Sequence, residues 1–165
     1  MLTEADLARY KKYADNVAAL LGALRRQRQL TQAQLAAMTG GKVSQKALAN
    51  YEISHRPLRI HVLESILEAL GEDTREFLLL AELVGSSAHN VTSIRIESLL
   101  INGDPEFEKL RRWWITGHPE ATRPSDEVIY LNKDILTTLA TLLGLTVEEL
   151  VLLLKAKRLL SRTSQ

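Results

Sequence analysis

The sequence predicts a mostly α protein: a compact five-helix domain followed by a smaller helical domain carrying a two-stranded β ribbon. Three observations predict it. Apolar residues recur at steps of three and four through most of residues 4–84, the period of helices with one buried face. Glycines, prolines and Ser/Thr/Asn residues at capping positions cut that pattern into short segments. Beyond residue 91 the period changes to two in "TSIRIE" and "EVIYLN" before helical spacing resumes, as for short strands among helices.

The elements follow in order. Leu7, Tyr10, Ala14, Val17, Leu21 and Leu24 form a heptad-like stripe, and Thr3 with Asp6 three residues on is a helix start. The spacing predicts a first helix over about 4–29, with room for a break near Asn16, its stripe packed on the helices that follow. Thr31 caps a second helix with Leu35, Ala36 and Met38 on its apolar side, stopped at Gly40-Gly41. Ser44 caps a third, with Ala47, Leu48 and Tyr51 inward. Pro57 forbids simple continuation. A fourth helix carries Val62, Leu63, Ile66, Leu67 and Leu70 up to Gly71, and a fifth runs from Thr74 to about Val84. Residues 1–84 therefore read as one domain, with 1–15 an N-terminal helical extension.

"GSSAHN" is small and polar, which makes 85–91 the linker. In the second domain, 92–165, strands are expected near 92–97 and 127–132. Between them Asp104-Pro105 opens a helix with Phe107, Leu110, Trp113 and Trp114. Adjacent tryptophans cannot share one helix side, so one is expected in the core and the other at an interface. Asn132 caps "KDILTTLATLLG", and Thr146 with Glu149 forms a capping box for "VEELVLLLKAKRLL".

At 165 residues the chain can bury a real core, and 45% hydrophobic with 25% charged residues is a globular composition. It has no cysteine, which excludes disulfides and thiolate metal sites. No apolar run approaches the roughly 20 residues that span a membrane, and the N-terminus "MLTEADLARYKKYADN" is unlike a signal peptide. These features give the expectation of a soluble cytoplasmic protein without a membrane partner. His55, His61, His89 and His118 are scattered, so no metal site is expected. No nucleophile with its base and no phosphate-cradling loop stands out, so neither an enzyme nor a cofactor is expected.

Charge is unevenly placed. Residues 25–59 hold Arg25, Arg26, Arg28, Lys42, Lys46, Arg56 and Arg59 against Glu52 alone, a net of +6, whereas 71–165 net −3. A basic segment beside an acidic remainder is the charge pattern of a polyanion-binding head on a carrier domain. Within that segment the third helix turns Leu48 and Tyr51 inward, which leaves Gln45, Lys46, Ala49 and Asn50 outward. Glutamine and asparagine pair with adenine, lysine with guanine, and alanine touches a thymine methyl. Gln32 sits in the first turn of the preceding helix, where phosphate is favoured. Lys42, Ser44, His55, Arg56 and Arg59 bracket the reading helix as phosphate contacts. Gly41-Lys42 reads as a two-residue insertion at the corner that offers a lysine to the phosphate strand.

"LRRQRQLTQAQLAAMTGG" followed by "VSQKALANYE" resembles the helix-turn-helix of the XRE family, the class of the lambda-type phage repressors, over residues 16–84. The matching positions are Arg25, Leu30-Thr31-Gln32, Leu35-Ala36, Val43-Ser44 and Glu52. The resemblance implies an ion pair between Arg25 and Glu52 that fixes the helix angle, base reading by Gln45, Lys46 and Asn50, and phosphate contacts at Gln32, Ser44 and the Arg56 region. The second half resembles, in pattern, the C-terminal domain of the BldD-like regulators. Those respond to cyclic di-GMP through paired Arg/Asp motifs. Here the corresponding stretch is Leu131-Asn132-Lys133-Asp134, with only Arg123-Pro-Ser-Asp126 besides, so cyclic di-GMP is not an expected partner.

The expected function is a sequence-specific regulator of transcription, a repressor rather than an activator, binding double-stranded operator DNA, with a homodimer as a possible assembly. One alternative is an immunity repressor of a phage or mobile element whose second domain also touches DNA, through Arg111, Arg112 and the Lys155–Arg158 cluster. Another is an antitoxin or adaptor that binds protein.

Overall fold

A computed structural model of the chain describes residues 3–85, 92–95, 103–117 and 128–162. It divides into two compact units, Met1–Gly85 and Ser86–Gln165. The first is a bundle of α1 (Glu4–Gln27), α2 (Gln32–Met38), α3 (Gln45–Glu52), α4 (Ile60–Leu70) and α5 (Thr74–Gly85). Local hydrogen bonds fix most of their starts. Thr3 and Thr31 close capping boxes with Asp6 and Gln34, the Ser44 hydroxyl accepts from the Ala47 N–H, and Asp73 accepts from the Glu76 N–H. Each such cap is worth about 1 kcal/mol. α1 runs unbroken through Asn16. It ends where Gln29 takes a left-handed φ of 56° and the Leu30 N–H turns back to the Arg25 carbonyl, satisfying a carbonyl that the helix itself leaves open.

Leu20, Leu21 and Leu24 of α1 meet Leu35, Leu48, Ile66, Leu67 and Phe77 in a fully buried core, each side chain contributing roughly 1.5–3 kcal/mol. Two expectations fail here. The stripe on α1 is buried only from Val17 onward, while Leu7 and Tyr10 are more than half exposed, because the core of the short helices begins at that level. Met38 is exposed as well. α2 has only seven residues, and Leu35 and Ala36 take its inward positions. Gly85, expected to open the linker, is the last residue of α5; the rest of that linker, 86–91, lies outside the described residues.

The second unit contains β1 (Thr92–Arg95), a 3-10 turn (Pro105–Phe107), α6 (Glu108–Gly117), β2 (Val128–Tyr130), α7 (Lys133–Leu143), α8 (Val147–Ala156) and β3 (Leu160–Arg162). The sheet is antiparallel with β1 in the middle, Ile94 in register with Ile129 of β2 and Leu160 of β3. A third strand, beginning at Leu160, the last residue of the expected final helix, therefore joins the two strands expected. α8 stops because Arg158 adopts φ 56° and the Leu159 N–H bonds back to the Leu154 carbonyl. Leu159 is then buried, and the next three residues pair with β1. The outer ends of the expected strands, 96–97 and 127, lie outside the described residues, as do Arg123 and Asp126.

Asn132 caps α7, and Thr146 with Glu149 closes the box on α8. Phe107, Leu131, Leu136, Leu150 and Leu154 fill this core with Ile94. Neither tryptophan joins it: Trp113 is exposed and Trp114 half-buried, since Leu110 takes the inward direction of α6. Among the described residues no single helix is long and apolar enough to cross a membrane.

Candidate nucleic-acid interface

The corner between α2 and α3 needs both of its glycines. Gly40 and Gly41 have φ of 64° and 82°, and a Cβ on either would meet nothing within 4 Å. Backbone conformation, not crowding, demands them. Across the corner the buried Thr39 hydroxyl donates to the Ala36 carbonyl at 2.7 Å and accepts from the Val43 N–H at 3.1 Å. Val43 is buried beneath it. Lys42 stands in solvent with its Nζ 3.7 Å from Glu68 of α4. An exposed pair of this kind is worth at most about 1 kcal/mol, so phosphate can displace it.

The angle of α3 is set by Glu52 at its last turn. Arg25 donates from Nε to Oε1 at 2.6 Å and from Nη2 to Oε2 at 2.9 Å, and from Nη1 to the Leu30 carbonyl at 2.6 Å. Gln32 Nε2 donates to the same Oε2 at 2.9 Å. One carboxylate thus ties α1, α2 and α3 together. Its side chain is 7% exposed and that of Arg25 is 13%. Burial pushes the Glu52 carboxyl up, but the hydrogen bonds from Arg25 and Gln32 and the charges of Arg25 and Arg26 outweigh burial and hold it below the usual glutamate value. Gly22 of α1 faces this pair: a Cβ there would make ordinary contact with the Glu52 carboxylate at 3.7 Å and press on the mobile end of Arg26 at 3.3 Å.

On the outer face of α3, Gln45 and Lys46 are fully exposed, while Ala49 and Asn50 are half-buried. Among the described residues the side chains of Gln45, Lys46 and Asn50 have no hydrogen-bond or ion-pair partner. Ser44 spends its acceptor on the α3 cap, and its O–H stays available to a phosphate oxygen. Gln32, assigned to phosphate, commits one amide hydrogen to Glu52, which leaves its second for that role.

Past α3 the chain ends the helix with Ser54 at φ 55° and the His55 N–H bonded to the Asn50 carbonyl. It then forms a cleft of about 250 Å³ bounded by Arg56, Arg59 and His61. Arg59 is also the residue before α4, and it makes no side-chain cap. The Val62 N–H of the first turn bonds back to the Arg59 carbonyl. The N–H groups of Ile60 and His61 precede the helix ladder and can add to the two guanidinium groups as donors for an anion. His61, given no role from the sequence, lines this cleft, whereas His55, assigned to phosphate, is exposed and not among its lining. A basic segment ending at a helix start was the available signal.

The second unit's cations are placed differently. Arg111 and Arg112 both pair with Glu108, at 2.6 and 3.0 Å. Lys157 pairs with Asp104 and Glu106; those contacts hold the Asp104 carboxyl below its usual range.

Two short helices joined by a tight corner, the second showing polar side chains within a basic segment, define a helix-turn-helix, a DNA-binding head. Consistent with that geometry, a family model described as Helix-turn-helix matches residues 21–77, which supports the likeness of this stretch to the XRE-family helix-turn-helix. No curated protein and no solved structure matches the chain.

Proposed function

We propose that the protein is an intracellular, non-catalytic transcription regulator, a repressor, that reads double-stranded operator DNA with α3 in the major groove. The observation that carries this reading is the pairing of an unsatisfied polar face, Gln45 with Lys46 and Asn50, with a flanking anion cleft at the uncapped start of α4. Gln45, Lys46 and Asn50 read bases, with Ala49 against a methyl group. Gln32, Lys42, Ser44, Arg56, Arg59 and His61 hold phosphates. The second unit, with its BldD-like pattern, serves oligomerisation or effector response, and a homodimer on a two-fold site is the assembly that suits a single reading head per chain. The part-buried pairing of Arg111 and Lys157 with acids of their own unit argues against direct DNA contact through those two.

Selection of bound sequences from a random DNA pool, followed by fluorescence anisotropy over a range of salt, tests this. Gln45→Ala and Asn50→Ala should each cost about 1–3 kcal/mol on the selected site and little on random DNA. Arg59→Ala should weaken both and lower the salt slope by about one. Equal losses on both DNAs for all three variants would refute the assignment of roles.

A further inference from the structure

Behind the reading helix lies a cavity of about 420 Å³, within the size range of small-molecule sites. Its walls come from four helices of the first unit: Tyr13 and Val17 of α1, Tyr51 of α3, Leu63 of α4 and Leu78 of α5. The interior is mostly apolar; of its two tyrosine hydroxyls, that of Tyr13 already donates to the Leu78 carbonyl at 3.1 Å. The polar residues at its rim are Lys11, Asp15, Ser54 and Arg56, two cations against one acid.

Tyr51, Arg56 and Pro57 also line the phosphate cleft. They form a partition with the apolar cavity on one side and the cleft on the other. Arg56 sits over the Tyr51 ring, 5.9 Å from its centroid. Its guanidinium is within reach of an anion from either side, and cannot serve both fully.

We propose that this cavity is an effector site for a small amphipathic acid, an apolar body with one carboxylate, and that its occupancy opposes DNA binding. The body displaces water from the space between Tyr13, Tyr51 and Leu63, and the carboxylate takes Arg56 and Lys11 at the rim. Arg56 is then drawn from the phosphate cleft. By linkage, DNA weakens the acid's binding by the same factor. The coupling rests on the DNA-binding reading above; the cavity's ligand class does not.

Calorimetric titration of the full chain with octanoate, octanol and octylammonium, without DNA, tests the site. Octanoate should bind saturably at one per chain, about tenfold tighter than octanol, the gain of a charge-assisted hydrogen bond. Ala14→Phe, at an exposed helical position on the cavity wall, should abolish binding with an unchanged circular dichroism spectrum. Arg56→Gln should reduce the preference for octanoate over octanol, and Arg56→Gln with Lys11→Gln should erase it. Absence of saturable binding, or unchanged binding in Ala14→Phe, overturns the site; equal binding of octanoate and octanol overturns the carboxylate assignment. In anisotropy on the selected DNA site, saturating octanoate should raise the Kd severalfold for the wild type and not for Ala14→Phe. Octanoate that binds without moving that Kd overturns the coupling. A wild type that binds no DNA even without octanoate refutes the DNA-binding reading instead, and leaves the calorimetric result to stand on its own.

Discussion

Removing both partners of the Arg25–Glu52 pair should cost no more than removing either one alone. Glu52→Met takes two charge-assisted bonds from Arg25 and the acceptor of Gln32, leaving a guanidinium 13% exposed with only the Leu30 carbonyl. Breaking a pair this buried costs about 3–5 kcal/mol. Arg25→Met does the converse, stranding a carboxylate with Gln32 as its remaining partner. The double variant strands no charge. It still orphans the Gln32 amide and the Leu30 carbonyl, about 1 kcal/mol each or slightly more. Singles of about 3 kcal/mol and a double near 3 rather than 6 give a coupling of about 3 kcal/mol. Urea denaturation can read this cleanly, because both tryptophans are in the second unit. Far-UV ellipticity should show the loss, while tryptophan fluorescence reports the second unit alone. The folded double variant should also lose at least tenfold on operator DNA while random-DNA binding holds, since α3 no longer has its angular tie. Additive singles, within about 0.5 kcal/mol, or a double variant with full operator affinity, would refute the reasoning.

Because the Glu52 pKa is lowered in the folded state, its stabilisation is complete above the usual glutamate range and fades as pH falls through the depressed value. The stability gap between wild type and Glu52→Gln, measured by urea titration at a series of pH values, should be flat near neutrality and shrink in acid; a gap that grows in acid reverses the sign. Gln29 and Arg158 hold left-handed φ at helix ends without being glycine. Gln29→Gly and Arg158→Gly should each stabilise their own unit by about 0.5–1 kcal/mol, strain relief less the added chain entropy, the second visible in tryptophan fluorescence. At the corner, Gly41→Ala should cost about 1–2 kcal/mol of stability. Lys42→Gln should cost none and instead lower the salt slope of DNA binding by about one, which separates the glycine's role from the lysine's.

Helix starts were legible because their hydrogen bonds are local. Thr3 with Asp6, Ser44, Asn132, and Thr146 with Glu149 each act within three residues, so spacing alone identifies them. The inward faces of α3 and α4 were legible for a similar reason, since Leu48, Tyr51, Leu63, Ile66 and Leu67 repeat at the helical period. What failed depends on partners distant in sequence. The exposure of Leu7 and Tyr10 follows from where the bundle ends along α1, which periodicity does not encode. Strand β3 exists because β1, nearly 70 residues earlier, offers an edge to residues 160–162. The Thr39 stitch and the approach of Glu52 to Gly22 are also long-range or corner-specific.

The reading head places an unusual demand on its polar contacts. Leu48 and Tyr51 bury α3 against the bundle, and apolar packing of two residues per turn tolerates some rotation about the helix axis. Base reading tolerates much less: successive side chains lie about 100° apart around the helix, so on the proposed role a rotation of even part of that interval would take Gln45 and Asn50 off the base edges. A bidentate guanidinium–carboxylate pair is directional in a way that a leucine contact is not. Placed at the last turn of α3 and shared with Gln32, it fixes rotation at one end, while the Thr39–Val43 stitch and the Ser44 cap fix the other. The same partial burial that makes the Arg25–Glu52 pair costly to break yields little net stability over an apolar core. Its contribution is therefore to the orientation of α3, and the operator affinity of the double variant is the measurement on which that distinction turns.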